Sequence, residues 1–158
     1  MKGTRVLITG EPKGRFIEGI VSGTPSPGTL MEVVAATEPV QGDYTWQVYQ
    51  PGTDGEQRLM AVLLERGEGY NYETAYTTAY KCFLYIPLPG DEINMLVRAA
   101  GTATSDSQAI GDIYIADTGT GLLVATTGTP ESECFVCMET VSDVVTGGTM
   151  VHCMFTGF

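Results

Sequence analysis

Short runs of β-branched, aromatic and aliphatic residues, several alternating with polar ones, follow one another along the chain between clusters of Gly, Pro, Asn and Asp. That period-2 texture predicts strands near 15–21, 30–35, 44–49, 58–65, 80–86, 92–99, 112–116, 121–126, 134–140 and 149–155. No stretch holds a convincing helical period, so the pattern predicts an all-β fold, a compact barrel or sandwich. The turns between the strands have specific chemistry. Thr24-Pro25-Ser26-Pro27-Gly28 fixes two φ angles and ends in a residue that tolerates positive φ, which makes a stiff loop. Pro51-Gly52-Thr53-Asp54-Gly55 does the same before Leu59, Pro89-Gly90-Asp91 turns the chain before Ile93, and Asp117-Thr118-Gly119-Thr120-Gly121 reads as a hairpin.

Two stretches fit the pattern less simply. Tyr72, Tyr76 and Tyr80 recur every four residues, which suits a helical face, yet with Tyr70 they also share one face of a strand. The β-branched and aromatic bias favours the extended form, with the four tyrosines forming a packed oligomer interface. A faint internal echo is also present: Met60-Ala61-Val62-Leu63-Leu64-Glu65 resembles Phe135-Val136-Cys137-Met138-Glu139, and Gly90-Asp91-Glu92-Ile93 resembles Gly111-Asp112-Ile113. The two matches occur in different order, so they do not establish a repeat.

At 158 residues, with 43% hydrophobic and 17% charged residues, the chain has enough apolar surface to build a real core. The expected organisation is an N-terminal arm over 1–15 followed by an all-β domain over 16–158, with room for two small β modules (about 16–100 and 101–158). The net charge is −11, but Lys2, Arg5, Lys13 and Arg15 are half of the eight basic residues. An acidic body repels nucleic acid and anionic membranes, so neither is an expected partner. The longest apolar run, Leu59 to Leu64, is far short of the roughly 18–20 residues of a membrane helix. The first eight residues hold too short an apolar stretch for a secretory signal.

Candidate chemistry is sparse. Cys134, Cys137, His152 and Cys153 have zinc-like spacing, but Phe135-Val136 is strand-forming, and residues i and i+3 of a strand face opposite ways. Buried free thiols, with Cys82 in a similar core context, are the expectation, and no metal or cofactor is expected. Asp117-Thr118-Gly119 matches the aspartic-peptidase triplet, which needs a second carboxylate and an apolar support further along. A hairpin turn accounts for the same residues, and a small aspartic-peptidase-like hydrolase remains only a remote alternative. His152 has no nucleophile in a recognisable motif, so the chain is not expected to be an enzyme.

The stretch Ala109-Ile110-Gly111-Asp112-Ile113-Tyr114-Ile115-Ala116-Asp117, then Gly121-Leu122-Leu123-Val124, Phe135-Val136-Cys137-Met138-Glu139-Thr140 and Gly147-Gly148-Thr149-Met150-Val151 resembles the head decoration, or cement, proteins of tailed bacteriophages. Leu59 through Asp91 has a similar texture, whereas the first 50 residues carry no such likeness. Cys137 and Met138 depart from the small aliphatic residues of that pattern. The resemblance implies a β-tulip or jelly-roll-like barrel with an extended N-terminal arm. It further implies a virion protein, made in the host cytoplasm, that binds the major capsid protein on the outer capsid surface as a homotrimer. On this reading Lys2, Arg5, Val6, Leu7, Ile8, Lys13 and Arg15 contact the capsid, with Val6-Leu7-Ile8 able to add as an edge strand. A fibre or adhesin module holding carbohydrate through the tyrosine row or the Pro-rich loop is the alternative.

Overall fold

The computed structural model describes residue 6 and residues 11–34, 43–50, 59–65, 73–101, 103–117, 119–126 and 134–157. These form an all-β fold of strands β1 (Arg15–Val21), β2 (Leu30–Val33), β3 (Thr45–Val48), β4 (Met60–Leu63), β5 (Lys81–Ile86), β6 (Glu92–Arg98), β7 (Ser105–Gln108), β8 (Ile113–Ala116), β9 (Leu123–Ala125), β10 (Cys134–Cys137), β11 (Val141–Val145) and β12 (Thr149–Gly157). Two five-stranded barrels close, in the orders β1-β3-β2-β4-β5 and β10-β12-β6-β9-β8, while β7 and β11 pair as a separate ribbon.

The barrels share one wiring. In the first, β1 runs parallel to β3 and antiparallel to β5, β2 lies between β3 and β4, and β4 returns to β5. In the second, β6 runs parallel to β9 and antiparallel to β12, β8 lies between β9 and β10, and β10 returns to β12. The registers match residue by residue. Leu30 opposes Val62 as Ile113 opposes Val136, and Leu63 opposes Leu84 as Cys137 opposes Cys153. Bonds outside the ladders repeat as well: Gly28 N donates to Leu63 O as Gly111 N donates to Cys137 O, and Val34 N to Thr45 O as Asp117 N to Leu122 O. The fold is therefore a structural duplication, with β7 and β11 inserted into the second copy.

The echo in the sequence is half of this repeat. Ala61 to Glu65 and Phe135 to Glu139 lie on or directly after the equivalent strands β4 and β10, whereas Gly90-Asp91 and Gly111-Asp112 precede β6 and β8, which are not equivalent. The true counterpart of Gly111-Asp112-Ile113 is Gly28-Thr29-Leu30, which matches it only in the glycine and the final aliphatic residue.

Each barrel is filled by the inward residues of its strands. Val21, Met31, Trp46, Ala61, Leu63, Cys82 and Leu84 fill the first, and Trp46 occupies space left by Gly19, where a Cβ would come within 2.4 Å of the indole. At the equivalent positions of the second barrel stand Met95 and Leu123, so a large and a null side chain are replaced by two medium ones. The outward residues Leu30, Met60, Val62 and Tyr85 of the first barrel join the second barrel's core in one continuous cluster with Leu96 and Met150. Two backbone bonds fix the junction, Leu30 N to Gly121 O at 2.8 Å and Leu96 N to Gly28 O at 3.0 Å.

The extended form expected for Tyr70 to Tyr80 is corrected over residues 73–80, which form turns and irregular backbone. Their amides bond to loops and strand ends, Tyr76 N to Pro25 O and Ala79 N to Val21 O, and Ala79 takes a positive φ of 67°. Tyr76 turns inward and joins the core of the first barrel, its hydroxyl donating to Leu64 O at 3.0 Å.

Candidate interaction face

The outer face of β1 and β5 and its borders hold five of the large apolar side chains exposed among the described residues, Phe16, Tyr44, Tyr80, Phe83 and Leu88; Leu59, Ile110 and Val145 are exposed elsewhere. Strand alternation sets Phe16, Glu18 and Ile20 on one side of β1, opposite Tyr85, Phe83 and Lys81 of β5. Phe16 is 54% exposed and Phe83 42% exposed. The Phe16 ring rests on the buried Tyr85 ring with centroids 4.9 Å apart. Tyr44 and Tyr80, both exposed, stand at the other end, where Ile20 N donates to Tyr44 O and Val21 N to Tyr80 O. Leu88 extends the apolar surface past the end of β5.

Cations frame this patch on an otherwise acidic chain. Lys13 and Arg15 are exposed where the chain enters β1, and Lys81 stands at the Tyr80 end of the face, 3.3 Å from Asp43 and 3.9 Å from Glu18. Ion pairs this exposed contribute little to stability, so Lys81 remains available to a partner's acids. Exposed aromatic residues and an arginine are enriched at protein-binding surfaces, where aromatic anchors supply affinity, and charges at the rim steer approach.

The base of the face is rigid. Asp91 is buried and accepts from the Tyr85 hydroxyl at 2.6 Å, Leu88 N at 2.8 Å and Lys13 N at 3.0 Å. Gly14 N in turn donates to the Tyr85 oxygen at 2.7 Å. Burial alone would raise the Asp91 carboxyl, but the Tyr85 hydroxyl and the amides of Leu88, Lys13 and Gly14 outweigh it and hold Asp91 below its ordinary range. Burial and the Asp91 carboxylate push Tyr85 upward, so its phenol stays a donor. This knot ties the end of the arm to the connection between the barrels.

The duplication gives the face a counterpart. The equivalent surface of β6 and β12 is covered in part by the chain itself: Gly28 and Leu30 pack on Leu96 and Met150, and Asn94 N donates to Val6 O, while Glu92 and His152, the counterparts of Phe16 and Phe83, stay partly exposed and pair with each other. One copy of the face is thus partly occupied by polypeptide, and among the described residues the other is exposed.

Among the expected capsid-contact residues, Lys13 and Arg15 are exposed at the entry to β1, at the border of this face, while Lys2, Arg5, Leu7 and Ile8 lie outside the described residues. Val6 is fully buried in the inter-barrel cluster, with its amide donating to Glu65 Oε1 at 2.5 Å. Its apolar side chain fills the seam between the barrels rather than reaching a neighbour. Of the expected interface tyrosines, Tyr80 is exposed, Tyr76 is buried in the first barrel, and Tyr70 and Tyr72 lie outside the described residues. Phe16, Phe83 and Tyr44 were not singled out by the sequence. Their one signal is an apolar residue on both alternation phases of β1, Phe16 and Ile20 against Ile17 and Val21.

The groups weighed for chemistry have structural positions. Asp117 accepts from Arg98 Nη1 at 2.8 Å and from Thr120 Oγ1 at 2.7 Å, which braces the β8–β9 turn with Gly119 at φ 81°. His152 Nε2 lies 2.9 Å from Glu92 Oε2, and its amide donates to Glu139 Oε1. Cys82, Cys137 and Cys153 are buried free thiols, and burial pushes Cys82 up to about 12. Among the described residues no group of three His, Cys, Asp or Glu side chains is arranged to hold a metal ion. Compared with protein-family models and with curated proteins, the chain has no significant match.

Proposed function

We propose that this chain is a structural virion protein that binds the outer surface of an assembled phage capsid, through the β1–β5 face of its first barrel, as a homotrimer on the major capsid protein. The observation that carries this reading is the pairing of the two equivalent faces. On the second barrel the part of that face formed by Asn94, Leu96 and Met150 is buried against polypeptide, whereas on the first, among the described residues, the face is exposed, aromatic and bordered by Lys13, Arg15 and Lys81. The strand and turn resemblance to head decoration proteins supports the same role. Cementing a shell requires buried area and shape, which two packed barrels with a rigid aromatic face supply, and no reactive group.

Binding to purified capsids lacking the protein tests the reading. Substituting Phe83→Asp together with Arg15→Glu should lower capsid occupancy by at least tenfold, while far-UV circular dichroism and thermal melting stay close to the parent, because both side chains are exposed. Unchanged occupancy with the double variant would remove this face from the interaction. Removal of residues 1–15 is a poorer probe, since it also strips Val6 and the amides of Lys13 and Gly14 from the core.

A further inference from the structure

Inside the second barrel, Cys137 of β10 directly opposes Cys153 of β12. Met138 N donates to His152 O at 2.9 Å, the bond that flanks a non-hydrogen-bonded pair, so Cys137 and Cys153 face each other at such a position. Non-hydrogen-bonded pairs bring Cα atoms to about 4.5 Å, within the ~4.4–6.8 Å that a disulfide spans. Both sulfurs lean toward the same end of the pair. Cys137 Sγ contacts Glu139 O at 2.9 Å and Cys153 Sγ contacts Val151 O at 3.4 Å, and Glu139 and Val151 flank the Met138–His152 pair on one side. The Tyr114 hydroxyl is buried beside Cys137 without a well-formed hydrogen bond, and burial followed by that thiol pushes Tyr114 upward. The barrel does not itself require thiols here, because the equivalent cross-strand pair of the first barrel is Leu63 and Leu84.

We propose that Cys137 and Cys153 are a latent cross-strand disulfide, closed by exchange with a low-molecular-weight disulfide such as oxidised glutathione. One cysteine thiolate attacks a glutathione sulfur, forming a mixed disulfide and releasing one glutathione thiol. The second cysteine thiolate then attacks the cysteine sulfur of that mixed disulfide and releases the other. The two cysteine sulfurs are oxidised, the glutathione disulfide is reduced to two thiols, and the two cysteine protons end on them. The bond encloses residues 138–152 and fastens β12, the last strand, to β10. Burial raises the Cys153 thiol, so closure is slow in the folded barrel and faster while the chain is folding.

Refolding the full chain from denaturant with oxidised and reduced glutathione, alkylating the remaining thiols and mapping peptides without reduction tests the pair. The expected result is a dominant peptide joining Cys137 to Cys153, with Cys82 alkylated and a melting temperature several degrees above that of the dithiothreitol-treated protein. Cys137→Ala and Cys153→Ala should each abolish the link and the dithiothreitol-sensitive part of the melting temperature while keeping a strand-rich circular dichroism spectrum. Natively folded protein with both cysteines alkylated, both carrying separate glutathione adducts, or either joined to Cys134 or Cys82 instead would overturn the proposal.

Discussion

At the scale of single residues, Asp91 is the position where most depends on one side chain. Its carboxylate gathers a phenol and backbone amides from both sides of the connection between barrels, so Asp91→Asn replaces an acceptor-only group with one that points donors at other donors. The expected cost is about 2 kcal/mol at neutral pH, read as a fall in the denaturation midpoint. The pH dependence has a definite sign. The carboxyl is held below its unfolded value in the folded chain, so its contribution is present above the unfolded pKa and is lost as pH falls through the folded one. Below about pH 4 the parent should lose stability more steeply than Asp91→Asn, and the gap between them should narrow. Parallel slopes for the two proteins across that window would show that Asp91 is not the linked group.

At the scale of elements, the turn that leads into the second strand of each barrel separates backbone conformation from packing. Gly28 and Gly111 occupy the equivalent place with φ of 86° and 94°. A Cβ on Gly28 would meet Met150 Cε at 3.1 Å and Leu96 N at 3.2 Å, whereas one on Gly111 meets nothing within 4 Å. Gly111→Ala should therefore cost only the left-handed strain, about 1–2 kcal/mol, and Gly28→Ala roughly 3 kcal/mol, since it adds a clash at the barrel junction. Equal losses in chemical denaturation would mean that the junction yields freely. The same turns show what was legible in the sequence. Ten strands follow from alternation and turn residues, because burial on one face imposes that pattern directly. Strands β7 and β11 leave little trace, since Ser105-Asp106-Ser107-Gln108 is entirely polar and its partner Val141–Val145 is mostly exposed. The duplication is hidden because register, not residue identity, repeats: Gly19 and Trp46 answer to Met95 and Leu123, and Leu63 and Leu84 to Cys137 and Cys153. For the candidate face, Lys13 and Arg15 are readable as clustered charge. Phe16 and Phe83 are not, because apolar residues on both phases of a strand do not say which side is the interior of a barrel.

At the scale of the whole molecule, the two barrels behave as one body by construction. Leu30, Met60, Val62 and Tyr85 point away from the first barrel's interior yet are buried, because the second barrel covers them, and Val6 closes the same seam. A first barrel alone would expose that surface to water, at a cost proportional to its apolar area. Unfolding should then be a single transition reported equally from either half. The chain allows a direct check, since its single tryptophan, Trp46, lies in the core of the first barrel, while Met150 contributes to the seam from the second. Met150→Ala should cost about 2 kcal/mol through the cavity it leaves, which for a chain of this length lowers the melting temperature by roughly 4–8 °C. That shift should appear in Trp46 fluorescence as fully as in far-UV circular dichroism, although Trp46 belongs to the other barrel. If fluorescence kept the parent midpoint while the ellipticity moved, the first barrel would be holding its fold independently and the seam would be a weak contact. The distinction bears on the proposed role, because the open aromatic face of the first barrel can resist a lateral load on a capsid only as far as the seam passes that load to the second.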